Sequence, residues 1–171
     1  MGRLTHRIGH TYFVTTKTWQ NRALFRVPET AHIVTQVIIH YRDRGVYQLH
    51  AFVVMPNHLH LLLTPAGNVS LEKALQYIKG GASHRIHAER SHKMAIWQPG
   101  FHDWTIRDEE DFRAKVSYIH LNPVRAHLAD RAEQWPYSSA SGSFVMDPMP
   151  QKRSGVGASA PTSTRQGEQG L

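Results

Sequence analysis

Residues 46–64 constrain the fold of this chain more than any other stretch. VYQLHAFVVM (46–55) and HLHLLLT (58–64) are two apolar runs separated only by Pro56-Asn57. Both read as strands and the dipeptide between them as a turn, so together they read as a hairpin. A hairpin commits the chain to an antiparallel sheet, and the remaining segments must extend and cover it.

The segments on either side have the right character. Residues 10–18 (HTYFVTTKT) are rich in β-branched and aromatic types and read as a strand. Pro28 and Glu29 open a helical stretch to Arg44, with Ile33, Val37, Ile38 and Tyr41 on its apolar positions and Gly45 closing it. Ser70 is a good N-cap for a helix carrying Leu71, Leu75, Ile78 and Ala82 on one stripe. Residues 101–106 (FHDWTI) read as a fourth strand. Asp108 then caps a helix holding Phe112, Val116 and Ile119, which Pro123 is expected to interrupt. The order β-α-β-β-α-β followed by helices predicts a ferredoxin-like α+β fold, an antiparallel sheet with helices packed on it.

Residues 1–146 read as one domain, without repeat or internal linker. Residues 147–171 contain no aromatic residue, and 15 of the 25 are Gly, Pro, Ser, Thr or Gln. Such a segment buries too little apolar surface to offset its chain entropy, and it reads as a disordered tail. It carries a net charge of +1 of the chain's +7, so the basic character belongs to the domain. The sequence pI is about 10.0. The chain has no cysteine, which excludes a disulfide scaffold, thiolate zinc sites, iron–sulfur clusters and a Cys nucleophile. No apolar run approaches the ~18 residues of a membrane span. No secretory h-region stands at the N-terminus. These features predict a cytoplasmic, nucleoid-associated protein whose partner carries phosphates.

Two constellations carry chemistry. In a strand, His58 and His60 point to the same side and Leu59 to the other. Two convergent imidazoles start a metal site, although alone they also read as two half-exposed strand histidines. Leu61, Leu62 and Leu63 follow, so the Asp of a His-x-His-x-Asp metallo-hydrolase is missing. On the last helix, Lys115, Tyr118 and Asn122 are spaced i, i+3, i+7 and share a face. A phenol is a poor nucleophile at its free pKa of about 10. A divalent metal gathered by His58 and His60 would polarise a phosphodiester, so the phenol need not ionise first. Asn122 offers an amide oxygen as third ligand. It also reads as the N-cap of a short helix beginning at Pro123. Tyr118, taken alone, reads as a core-facing aromatic.

For phosphate contacts, residues 70–90 offer Lys73, Lys79, Arg85 and Arg90, while Arg107, Arg113 and Lys115 flank the tyrosine helix. Trp97 and Phe101 read either as base-stacking platforms or as core. Gly80-Gly81 inside a helix suggests a kink or a close approach by another backbone, that of a bound nucleic acid among the candidates.

MPNHLHLLL, YIKGGASHR, IWQPGFHDWTIRDEEDF, YIHLNPVRA and WPYSS follow one another as in the REP-associated tyrosine transposases. The chain resembles that family, the domesticated branch of the single-tyrosine, His-hydrophobic-His transposases, over Gly9 to Ser139. The resemblance implies a metal-dependent endonuclease and strand transferase acting on single-stranded, hairpin-forming DNA. Tyr118, His58 and His60 would be catalytic, and His58, His60 and Asn122 would hold Mg²⁺ or Mn²⁺. Lys79, Arg85, Arg107, Arg113 and Lys115 would bind the DNA, and the protein would act as a monomer, with a dimer as the alternative. Two rival readings stay open: a catalytically idle DNA-binding protein on the same fold, and a phosphodiesterase using water.

Overall fold

The hairpin forms as its sequence dictates. The computed structural model describes residues 9–91 and 93–151. In it β2 (Tyr47–Met55) pairs with β3 (His58–Pro65), and Met55 faces His58 across the Pro56-Asn57 turn. Before them come β1 (Tyr12–Lys17) and helix α1 (Pro28–Asp43); after them come α2 (Leu71–Arg90), β4 (His102–Thr105) and α3 (Glu109–Arg125). The sheet order is β2-β3-β1-β4 and every neighbouring pair is antiparallel. Three helices pack on this sheet, giving the expected α+β fold. Past α3 the chain makes two single 3-10 turns, Ala132–Gln134 and Ser139–Ser141, where helices were expected.

The local signals did their work through identifiable bonds. Ser70 Oγ accepts from the Lys73 N–H and Asp108 Oδ1 from the Asp111 N–H, so both helices start at their predicted caps. Gly45 sits at φ +70, its N–H bonding the Arg42 carbonyl while the Val46 N–H reaches back to Tyr41. That pair of bonds is a Schellman C-cap, and it needs a residue without a Cβ penalty at that φ.

Strand alternation divides the molecule into two faces. Leu59, Leu61 and Leu63 join the main core beneath α1 and α2, while Leu62 packs with Ala51, Val53, Met55 and Ile119 beneath α3. A β-bulge at His50 makes this work on β2. The register shifts between Leu49 and Ala51, so Leu49 and Phe52 face one core and Ala51 and Val53 the other. The outer edge of β2 is closed by the chain after α3. Val54 N–H bonds the Tyr137 carbonyl, Trp135 Nε1–H bonds the Val54 carbonyl, and Ser139 Oγ spans Phe52 N–H and C=O.

Three expectations change. First, α3 runs through Pro123 to Arg125. Proline in the final turn removes one donor, and the Asn122 carbonyl still accepts from the Ala126 N–H at 3.0 Å. Asn122 is therefore helical and caps nothing. Second, α2 continues through Gly80-Gly81, and what approaches is α1. A Cβ on Gly81 would lie 3.0 Å from Tyr41 Cε2 and 3.1 Å from Val37 Cγ1, whereas at Gly80 nothing lies within 4 Å. Gly80→Ala is accordingly expected to stabilise the protein by up to about 1 kcal/mol and Gly81→Ala to destabilise it, as urea denaturation would measure. Third, Asp147 is tied to the domain. Its carboxylate accepts from the Leu49 N–H at 2.8 Å and from the Arg42 guanidinium at 3.1 Å. Of the remaining tail, 152–171 lies outside the described residues.

Asp147 also fixes the bulged histidine. Its carbonyl can only accept, so His50 Nδ1 is the donor at 3.0 Å and His50 Nε2 accepts from Thr64 Oγ1 at 2.8 Å. Burial, against the pull of Asp147, holds His50 below its ordinary pKa of 6.5. As pH falls through that ordinary value the unfolded chain takes a proton that folded His50 refuses, so stability declines. Urea midpoints are expected to drop between pH 7 and pH 5, and His50→Gln to reduce that slope by up to about 1.4 kcal/mol per pH unit.

Candidate active site

The face under α3 collects the chemistry. Because Leu59 and Leu61 go into the opposite core, His58 and His60 stand on this side, level with Lys17 and Thr15 of β1 and with Met55 and Val53 of β2. Their ring centroids are 4.7 Å apart at 74°. Each ring is held at its Nδ1. Thr15 Oγ1 lies 2.8 Å from Nδ1 of His60, and Asn57 Oδ1 accepts from Nδ1 of His58 at 2.7 Å. Asn57 is itself anchored, its Nδ2 donating to Asn21 Oδ1 at 3.1 Å. With Nδ1 of His58 protonated, the lone pair sits on Nε2. Phe13 stacks on His60 with centroids 5.2 Å apart and an interplanar angle of 25°.

Helix α3 is docked by Ile119, which is fully buried. Tyr118 precedes it, about 100° around the helix, and so stands at the rim with 39% of its surface exposed. Its ring lies 5.4 Å from that of His60 and meets Phe13 edge-on at 5.7 Å. The Arg125 guanidinium sits 5.4 Å from the Tyr118 centroid. One turn beyond Tyr118, the Asn122 side chain comes up to the His58 ring. The i, i+3, i+7 spacing thus brings a phenol and an amide to the histidine pair from one helix.

Burial keeps both imidazoles neutral near pH 7. It lowers His58, with Asn122 pulling the other way, and together with the neighbouring His58 it pushes His60 down to about 3. Neutral imidazoles are the form that binds metal. Among the described residues no three His, Cys, Asp or Glu side chains gather, so a third protein donor here has to be of another kind. The Asn122 amide, beside the His58 ring, is the group placed to serve as one. Two oriented imidazoles and an amide oxygen fit a divalent cation, and suit Mn²⁺ better than Mg²⁺ by ligand chemistry.

The structure sorts the five basic residues expected on DNA. Lys115 and Arg107 border the site: Lys115 Nζ lies 5.0 Å from the Phe13 ring, and the Arg107 guanidinium 5.5 Å from that of Trp104. Arg113 is about 140° around α3 from Tyr118 and pairs with Glu109. Lys79 and Arg85 belong to α2, which covers the opposite face. Lys79 Nζ donates to the Gln98 and Gly100 carbonyls, and Arg85 to Gln36 and Glu89, so both ions are engaged in holding helix and loop. Trp97 is core, packed on Phe25 with its Nε1–H on the Lys79 carbonyl. Sequence reasoning missed Thr15, Asn57, Phe13 and Arg125. For Arg125 a signal existed, since it lies i+7 from Tyr118; the position of Thr15 depends on strand register.

Comparison with known proteins identifies the family. The family model described as "Transposase IS200 like" matches residues 9–122. The REP-associated tyrosine transposase of Escherichia coli K12 is 30% identical over 132 residues, 77% of this chain and 76% of the relative. A relative from Haemophilus influenzae, described as a REP-associated tyrosine transposase, is 28% identical over 99 residues, 52% of this chain and 56% of its own length. Among solved structures, a REP-associated tyrosine transposase bound to a REP hairpin superimposes with a TM-score of 0.69 at 25% identity, covering 88% of this chain and 92% of its own. A Deinococcus radiodurans transposase structure shares the fold, with a TM-score of 0.50 at 21% identity over 71% of this chain and 97% of its own. The match from residue 9 to Asn122, with the E. coli relative over three quarters of both chains, makes this chain a member of the IS200-like transposase family and, within it, of the REP-associated tyrosine transposases.

Proposed function

We propose that this enzyme cuts and rejoins single-stranded DNA beside a REP-type hairpin, with Tyr118 as the nucleophile. The observation that supports this most is the convergence of Tyr118, His60, His58 and Asn122 on one face of the sheet, rings 5.4 Å and 4.7 Å apart. A binding module has no use for that set. Family membership supplies the reaction class, DNA transesterification, and the solved relative holds a REP hairpin.

The Tyr118 oxygen forms a bond to the scissile phosphorus as the P–O3′ bond breaks. The phenolic proton passes to solvent, and the departing 3′ oxygen takes up a proton to leave a free 3′-OH. The product is a 5′-phosphotyrosine. Attack by a 3′-OH on that linkage reverses the step, and since one phosphoester replaces another, resealing needs no ATP. A divalent cation, Mg²⁺ or Mn²⁺, bound by His58, His60 and Asn122 would polarise the phosphodiester and offset charge developing on it. Thr15 and Asn57 keep the two imidazoles turned to that task. Arg125 lies beside the ring on which phenolate charge develops. Lys115 and Arg107 hold flanking phosphates. No helix among the described residues is long and apolar enough to cross a membrane.

The test is incubation with Mn²⁺ and a hairpin oligonucleotide bearing single-stranded flanks, beside the same sequence as full duplex. Nicking of the single-stranded flank alone is expected. Tight binding with intact DNA would favour an idle binding protein.

A further inference from the structure

Strand β4 carries Trp104 on the face of His60 and Tyr118, because Trp104 pairs with Phe13 of β1. The indole is 47% exposed, yet it is not loose. Its Nε1–H donates to Asp111 Oδ2 at 3.0 Å, and the same oxygen accepts from the Arg107 backbone N–H at 3.3 Å and from the guanidinium at 3.5 Å. The Asp111 side chain is only 9% exposed. Two cations lie over the ring, Lys115 Nζ at 5.2 Å and the Arg107 guanidinium at 5.5 Å from its centroid, where phosphates would draw them off as a base stacks. Lys115 bridges onward to Phe13, whose edge meets Tyr118. Tyr118, Phe13, Lys115 and Trp104 thus form a continuous run from the nucleophile to the sheet edge.

A single strand is held by aromatic faces for its bases and cations for its phosphates. Both are present here at adjoining positions. A ring whose orientation is already fixed by a largely buried carboxylate loses little freedom on binding. We infer that Trp104 is the stacking platform for one unpaired nucleobase adjoining the scissile phosphate, with Arg107 and Lys115 on the phosphates of that nucleotide and Asp111 as the residue that positions the indole. The inference rests on the reading of Tyr118 as a nucleophile acting on single-stranded DNA, and it names the subsite that sets the strand's path.

The experiment measures binding of a labelled hairpin oligonucleotide, and of variants with an abasic site at each unpaired position in turn, by fluorescence anisotropy. Full-length protein carrying Tyr118→Phe serves as the reference, so that no turnover intervenes. Adding Trp104→Ala is expected to weaken binding about 5- to 150-fold. It is also expected to erase the abasic penalty at one unpaired position while leaving the others in force. Trp104→Tyr keeps a stacking ring and is expected to restore most of the affinity, which a merely structural role would not require. Binding by Trp104→Ala within twofold of the reference, or an abasic penalty retained at every position, would overturn the platform. If Trp104→Ala lowers the thermal midpoint, binding is compared at a temperature where circular dichroism shows both proteins folded. Covalent capture by the wild-type protein is scored separately. Capture without coupling at any position overturns the platform alone, and coupling without capture overturns the nucleophile alone.

Discussion

Replacing Tyr118 with Phe is expected to reduce DNA cleavage and covalent capture by at least about 10⁴-fold, as loss of a nucleophile does elsewhere, while leaving hairpin binding near wild type. The change removes only the hydroxyl. The ring contacts with His60, Phe13 and Arg125 survive, and Ile119 next to it still docks α3. Stability should therefore change by no more than an exposed substitution does, within about 0.5 kcal/mol. A gel assay of nicking, with anisotropy for binding, separates the two quantities. Cleavage by Tyr118→Phe at the wild-type rate would remove the tyrosine from the mechanism and leave water as the attacking group.

The second large effect concerns the metal. His58→Ala and His60→Ala are each expected to lower metal-dependent cleavage by more than the 10–100-fold typical of losing an outer-shell partner. Activity is not the only readout. A ligand bound only by the folded state at about 100 times its Kd adds about 2.7 kcal/mol, so saturating Mn²⁺ should raise the wild-type thermal midpoint by on the order of 5–10 °C. That shift should vanish in His58→Ala, which removes a half-buried side chain and is expected to stay folded. Asn122→Ala should weaken the shift without abolishing it, higher Mn²⁺ restoring part of it, since the amide would be one ligand of three and caps no helix. An unchanged Mn²⁺ shift in both histidine variants would place the metal elsewhere.

How much of this was legible in the sequence depends on the range of the interaction involved. Ser70, Asp108 and Gly45 were readable because a cap involves residues three to five apart. The shared side of His58 and His60 followed from strand periodicity, and that of Tyr118 and Asn122 from helical spacing. Long-range placement was not readable. Thr15 reaches His60 only through the β1–β3 register, and no local pattern announces that register. The bulge at His50 is held by Asp147, nearly a hundred residues on, which composition alone assigned to the tail. Pro123 signalled a helix end, and tertiary docking of Ile119 carried the helix past it. Trp97 and Trp104 are the same residue type seven positions apart. One is core and the other stands at the site, a difference set by which loop and which sheet edge each belongs to.

The central claim is that Tyr118 becomes covalently bound to a 5′-phosphate. It is tested most directly with a hairpin oligonucleotide labelled in one sample at its 5′ end and in another at its 3′ end, each incubated with the protein and Mn²⁺ and run on a denaturing gel. The 3′ label is expected to migrate with the protein, with peptide mapping placing the adduct on Tyr118, and the 5′ label to leave on a fragment ending in a free 3′-OH. Cleavage with both labels on free fragments, or an adduct on any other residue, would contradict the account.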